Sequence, residues 1–201
     1  MPHVSFAELV SGARAGHLVS FPTDTVPALA SAPAHAEQVF TLKQRSQDKP
    51  LILMGAKALD LWPYVTGSES DWLYWQEVAQ QHWPGALTLV LPASDRVPTA
   101  MNPTNPTSIG IRVPNCAIAR HILAQTGPLA TTSANRSGEP ALQSLEEIAA
   151  SFPTVLTLHP EAIATLNQEL GTSTQPAGLP STVAQWTGSG WTILRQGGVS
   201  L

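Results

Sequence analysis

The stretch WPGALTLVLPASDRVPTAMNPTNPTSIGIRV occupies residues 83–113. Trp83-Pro84-Gly85 closes the helical pattern that precedes it, because proline brings no amide donor and glycine resists a helix interior. ALTLVL (86–91) and SIGIRV (108–113) are apolar runs of strand length. Between them lies only a Pro/Thr/Asn-rich loop, Pro98 to Thr107. Strands and helices are thus mixed along the chain without strict alternation. The expected class is α+β: a mixed sheet covered by helices, not a regular doubly wound fold.

Working outward, the N-terminal side opens on a capping box, Ser5 with Glu8, and a stop at Gly16. LVSF (18–21) reads as a short buried strand, residues 34–45 as a helix and LILM (51–54) as a strand. Helical patterns follow at 56–62 and 69–82. On the C-terminal side, residues 115–126 read as a helix ended by Gly127. LATT (129–132) is a strand that runs into the polar turn SANRSG, and Ser144 with Glu147 caps another helix. TVLTL, STVAQW and WTILRQ, beginning at 154, 181 and 191, complete the strands, with a long loop at 167–180. Neither long loop reads as a linker, no repeat is visible, and residues 1–201 are expected to form a single domain.

Composition narrows the function. Hydrophobic residues make up 43% of the 201, enough for a substantial core. No apolar run reaches the length of a membrane span, and no signal peptide is visible at the N-terminus. Cys116 is the single cysteine, so an intramolecular disulfide is impossible and a reducing cytoplasm is the expected home. A formal net charge of -4 argues against a protein whose main task is coating nucleic acid. There is no phosphate-binding glycine loop, dinucleotide fingerprint or nucleophile elbow, and the six histidines show no ligand spacing.

Against that background KQRSQDKP (43–50) stands out, with Lys43, Arg45 and Lys49 drawn from only ten Lys plus Arg in the chain. Such a cluster can surround a multivalent anion, the arginine as a planar fork and the lysines as point charges. It can equally be a solvated helix terminus, where cations favour the negative end of the dipole. Hydroxyl-rich turns at strand ends, PTDT (22–25), TTSANRSG (131–138) and PST (180–182), either cap local turns or line a cleft of the kind open sheets use for ligands. Within PTDT, Thr23 and Thr25 share a face, and Asp24 is expected to serve the turn rather than to orient an amine. Arg112, between Ile111 and Val113, must lie on an open face or pair with an anion, because a buried unpaired guanidinium is too costly. Arg195 repeats that logic. Cys116 and the six tryptophans are expected to pack.

Seven segments, FPTDTV (21–26), KQRSQDKPL (43–51), WPGALTLVL (83–91), SIGIRVP (108–114), TTSANRSG (131–138), PSTV (180–183) and LRQG (194–197), resemble in kind and order the YrdC family of threonylcarbamoyl-AMP synthases. The match spans nearly the whole chain and resembles the short, single-domain form. The resemblance implies a YrdC/RibB-like fold: a twisted mixed sheet flanked by helices, with a large open positive cavity. It implies that L-threonine, bicarbonate and ATP, the last with Mg²⁺, become threonylcarbamoyl-AMP and pyrophosphate. Other proteins then pass the group to an adenosine of tRNA.

The same resemblance assigns roles position by position. Lys43 and Arg45 are expected on the ATP phosphates as the catalytic pair, with Lys49, Ser108, Ser133, Asn135, Ser181 and Arg195 as further nucleotide contacts. Thr23, Arg112 and Thr131 are expected to hold threonine, Arg112 through its carboxylate. The chain departs from the family where Pro27-Ala28 replaces the usual Tyr-Gly and where Ala141 stands in place of a frequent serine. Two rivals follow from the same residues. One is an RNA-binding module with this cavity and no chemistry; the other is an enzyme acting on a different carbamoyl or sugar-phosphate substrate.

Overall fold

The computed structural model describes residues 3–173 and 176–201. Its strands are β1 (His3–Val4), β2 (Val19–Phe21), β3 (Ala28–Ser31), β4 (Ile52–Met54), β5 (Leu87–Pro92), β6 (Ser108–Arg112), β7 (Leu129–Ser133), β8 (Leu156–Leu158), β9 (Thr182–Trp186) and β10 (Trp191–Arg195). They form one sheet in the order β1-β8-β2-β3-β7-β4-β6-β5-β9-β10. β5 and β6 are antiparallel neighbours, as are β3 with β7 and β4 with β7, whereas β4 runs parallel to β6 and β5 parallel to β9. The sheet is therefore mixed. The helices are α1 (Phe6–Arg14), α2 (Glu37–Lys43), α3 (Ala58–Leu61), α4 (Glu69–His82), α5 (Ala117–Thr126), α6 (Leu145–Ser151) and α7 (Pro160–Glu169). Among the described residues, no helix is long and apolar enough to cross a membrane.

The local signals act as their chemistry requires. Ser5 caps α1 through the Glu8 amide while the Glu8 carboxylate accepts from the Ser5 amide, and Ser144 with Glu147 does the same for α6. The helix expected over 34–45 divides into a short 3-10 turn at Pro33–His35 and α2, which stops at Lys43 because Gln44 takes a left-handed conformation with φ of 49°. Three elements were not anticipated: β1, β3 and α7. The helix α7 starts at Pro160, a residue pre-set for a first helical turn, and runs to Glu169, into the segment expected to be loop.

Pleating gives the sheet two distinct faces. Ala184, Leu89, Ile111, Leu53 and Ala130 are register partners in turn across β9, β5, β6, β4 and β7, and each is at most 1% exposed. They belong to the hydrophobic core. The neighbouring rung, Gln185, Val90, Gly110, Ile52 and Thr131, points the other way and floors an open cavity. Gly110 sits mid-floor, where an added Cβ would lie 3.3 Å from Thr88 Cγ2 and 3.4 Å from Ile52 Cγ1. The missing side chain leaves room for a ligand above. The tryptophans pack, as expected: Trp75 is fully buried, and Trp186 donates to Asp71 at 3.0 Å. Cys116 is likewise buried.

Candidate active site

The cavity over this floor measures about 870 Å³, a size suited to small ligands. Thr23, Arg45, Lys49, Ser108, Arg112, Thr131, Ser133, Asn135, Ser181 and Arg195 all line it. Lys43 does not. Ala28 and Ala141, two of the positions that depart from the family pattern, are also in the wall.

One end is organised around Arg112, at the close of β6 and only 4% exposed. Its Nε donates to the Gly85 carbonyl at 3.0 Å, one terminal nitrogen to Thr25 Oγ1 at 2.9 Å and the other to Asp24 Oδ1 at 2.7 Å. Asp24 is therefore a counter-ion, not simply a turn residue. Burial lowers the Arg112 proton affinity from the ordinary arginine value, and Asp24 opposes that shift. The adjacent hydroxyls have a forced order. Thr23 Oγ1 donates to the Val26 carbonyl at 2.7 Å, so its 3.0 Å contact with Thr25 Oγ1 takes a proton from Thr25. Thr25 in turn accepts from Arg112. The Thr131 hydroxyl is committed to the Ile52 carbonyl at 3.0 Å.

The other end is built on the segment after α2 and the turn after β7. Lys43 is 1% exposed, and its ammonium donates to the Ser133 carbonyl and, at 3.1 Å, to Asn135 Oδ1. From the last turn of α2 it holds the Ser133–Asn135 turn. Burial, and secondarily Arg45, push its pKa down to about 7. Ser133 Oγ donates to Asn135 Oδ1 at 2.6 Å, and Asn135 Nδ2 donates to the Arg136 and Glu139 carbonyls at 2.7 and 2.8 Å. Asn135 is thus both turn cap and cavity wall. Arg45 reaches forward, fixed by the Lys49 carbonyl at 2.8 Å and the Pro50 carbonyl at 3.2 Å.

Between the ends lies Arg195, which donates to the Ser181 carbonyl at 3.0 Å and to Ser181 Oγ at 3.2 Å. Ser181 Oγ is 2.9 Å from Thr88 Oγ1 on the floor. Burial lowers the proton affinity of Arg195, with Arg112 adding to the effect, and burial likewise lowers that of Arg45, with Asp48 opposing the shift and Arg195 adding to it. The three guanidiniums therefore form an electrostatically coupled row. Ser108 is steadied by Asn102, whose amide donates to its carbonyl and hydroxyl, both at 3.2 Å. Thr25, Thr88 and Asn102 line the cavity, and Asp24 pairs with Arg112 from outside its lining; sequence reasoning assigned none of the four to the site. Thr25 and Asp24 were visible in PTDT, but the partner of Asp24 lies 88 positions away.

The chain is similar to known proteins. A family model designated Sua5_yciO_yrdC, described as "Telomere recombination", matches residues 12–197. The chain belongs to the Sua5/YciO/YrdC family. A family relative from Chromohalobacter salexigens, named threonylcarbamoyl-AMP synthase, is 33% identical over 156 residues, covering 76% of this chain and 82% of the relative. A protein of the same name from Rattus norvegicus is 36% identical over 149 residues, covering 72% of this chain and 51% of that one. The crystal structure of P. abyssi Sua5 complexed with L-threonine superposes with a TM-score of 0.80 at 28% identity, over 96% of this chain. This family member spans 54% of that longer protein.

Proposed function

We propose that the chain is a threonylcarbamoyl-AMP synthase, an enzyme of the nucleotidyltransferase class that converts L-threonine, bicarbonate and ATP into threonylcarbamoyl-AMP and pyrophosphate. The observation that carries this reading is the unused capacity of Arg112 beside a row of further cations. A guanidinium has five N–H donors. Three are engaged by Gly85, Thr25 and Asp24, which leaves one on each terminal nitrogen. That pair matches a carboxylate in bidentate geometry. Arg195, Arg45 and Lys49 continue along the same cavity and suit a triphosphate.

In this reading threonine anchors at Arg112, beside Thr23, and ATP lies along Arg195, Arg45 and Lys49, with Ser108, Ser133, Asn135 and Ser181 around the nucleotide. The carbamate on the threonine nitrogen attacks the α-phosphorus. One carbamate oxygen forms the new P–O bond, and the bond to the bridging oxygen breaks, its electron pair leaving with pyrophosphate. The attacking oxygen is already anionic, so this step needs no general base. The protein supplies alignment and neutralises charge that grows on the phosphates. Mg²⁺ comes with ATP as part of the substrate, because hard cations favour phosphate oxygens. Lys43 contributes by holding the turn of Ser133 and Asn135. The product serves threonylcarbamoyl transfer to tRNA, which places the enzyme in the cytoplasm.

The test is pyrophosphate release with ATP, bicarbonate and each amino acid in turn. Release that requires threonine is the expected result. Release indifferent to the amino acid points to another substrate, and salt-sensitive RNA binding with no release points to a binding module.

A further inference from the structure

We propose that Asp24 sorts the two anions of this cavity: by neutralising Arg112 it confines polyphosphate to the Arg195–Arg45 end and reserves Arg112 for a zwitterionic amino acid. The identity of the anions rests on the synthase reading, but the sorting follows from the geometry.

Three guanidiniums line one cavity and act electrostatically on one another in sequence, Arg112 on Arg195 and Arg195 on Arg45. Such a row, left uncompensated, is a continuous track for a polyanion. A pyrophosphate or triphosphate could slide onto Arg112 and shut out the amino acid. Asp48, also in the cavity wall, partly offsets Arg45 from beyond ion-pair distance, but among the described residues Arg112 alone of the three has a carboxylate within that distance, Asp24 at 2.7 Å. The side chains of Arg112 and Asp24 are 5% and 14% exposed, so solvent screens the pair little.

The pair presents a dipole rather than a net charge. A polyanion gains little from a dipole, whereas a zwitterion is complementary to one, its carboxylate on the spare N–H groups and its ammonium toward the Asp24 side. Asp24 is also pinned. Its own carbonyl accepts from the Ala177 amide at 3.0 Å, and the next carbonyl, of Thr25, accepts from Gly178 at 2.9 Å. The backbone that carries the counter-ion is therefore held independently of Arg112.

Asp24→Asn tests this, because the amide oxygen can still accept from Arg112 while the charge is gone. Inorganic pyrophosphate is the probe. With the unsubstituted protein it should compete with ATP and not with threonine. With Asp24→Asn it should compete with both, raising the KM for threonine about tenfold at a concentration that leaves the unsubstituted protein unaffected. Asp24→Glu, which keeps the charge, should retain the original pattern. An unchanged pattern in Asp24→Asn overturns the proposal. So does competition with threonine in the unsubstituted protein, a measurement that needs no variant to fold. Calorimetric titration with pyrophosphate separates this outcome from failure of the synthase reading, since it needs no turnover. A single equivalent should bind the unsubstituted protein and a second should bind Asp24→Asn; equal stoichiometry overturns the sorting.

Discussion

The Lys43 ammonium bonds the Ser133 carbonyl and lies 3.1 Å from Asn135 Oδ1, so one buried cation, 90 positions distant in sequence, fixes the turn that ends β7. Lys43→Met keeps the length of the side chain and removes the donors. The Ser133 carbonyl then loses this donor and Asn135 Oδ1 keeps only the Ser133 hydroxyl, at a cost of about 2 kcal/mol. The denaturation midpoint should fall accordingly. Pyrophosphate release should fall by roughly tenfold or more, because the displaced turn carries Ser133 and Asn135. A variant with unaltered midpoint and rate would mean that the turn holds itself.

The same ammonium sets a pH dependence of stability. Its pKa is pushed down to about 7 by burial first and Arg45 second, against an ordinary value of 10.5. Between those two values the unfolded chain binds the proton more tightly than the folded one, so raising the pH through this window favours folding. Below about 7 the lysine is charged in both states and contributes no slope. Urea midpoints from pH 7 to 9 should rise for the unsubstituted protein relative to Lys43→Met. Parallel curves for the two proteins would contradict the assignment.

Much of this fold was legible, for identifiable reasons. β5 and β6 announce themselves by apolar runs between proline-rich turns, and α1 and α6 by their capping boxes. β3 did not, because ALAS (28–31) carries neither β-branched nor aromatic side chains and directly follows Pro27. It is a strand because β2 and β7 pair with it on either side, a tertiary cause that propensity does not record. β1 is two residues long and exists only against β8. At the site, the resemblance placed the cavity residues, but the chain alone could not show that Lys43 bonds the Ser133–Asn135 turn or that Asp24 meets Arg112. Both depend on which strands become neighbours.

Arg112 makes a second substitution informative. Arg112→Lys keeps a cation to balance Asp24 but cannot reproduce a planar fork with contacts to Gly85, Thr25 and Asp24 at once. The KM for threonine should rise on the order of 100-fold, the loss expected when a buried charge-assisted contact is broken. The KM for ATP should change far less, since Arg195 and Arg45 remain. Initial rates with each substrate varied in turn give both numbers, and equal increases would move threonine away from Arg112.

Gly197 offers a test that removes no charge. A Cβ at this position would lie 2.4 Å from the Pro180 carbonyl oxygen, 2.4 Å from the Thr182 amide nitrogen and 2.6 Å from the Ser181 carbonyl carbon. All three are backbone atoms, so no rotamer change relieves the clash. The Gly197 amide also donates to Thr182 Oγ1 at 3.0 Å, tying the strands' ends together. Gly197→Ala must push the 180–182 segment aside, and with it the Ser181 groups that hold Arg195. Overpacking of this kind costs roughly 1–3 kcal/mol, a drop readable in thermal unfolding. Displacing Arg195 should also weaken nucleotide binding while leaving the Arg112 end in place. Calorimetry with ATP and with threonine separates the two effects: a selective loss for ATP is expected, and a variant that binds both ligands normally would show that Arg195 keeps its position without the 180–182 backbone.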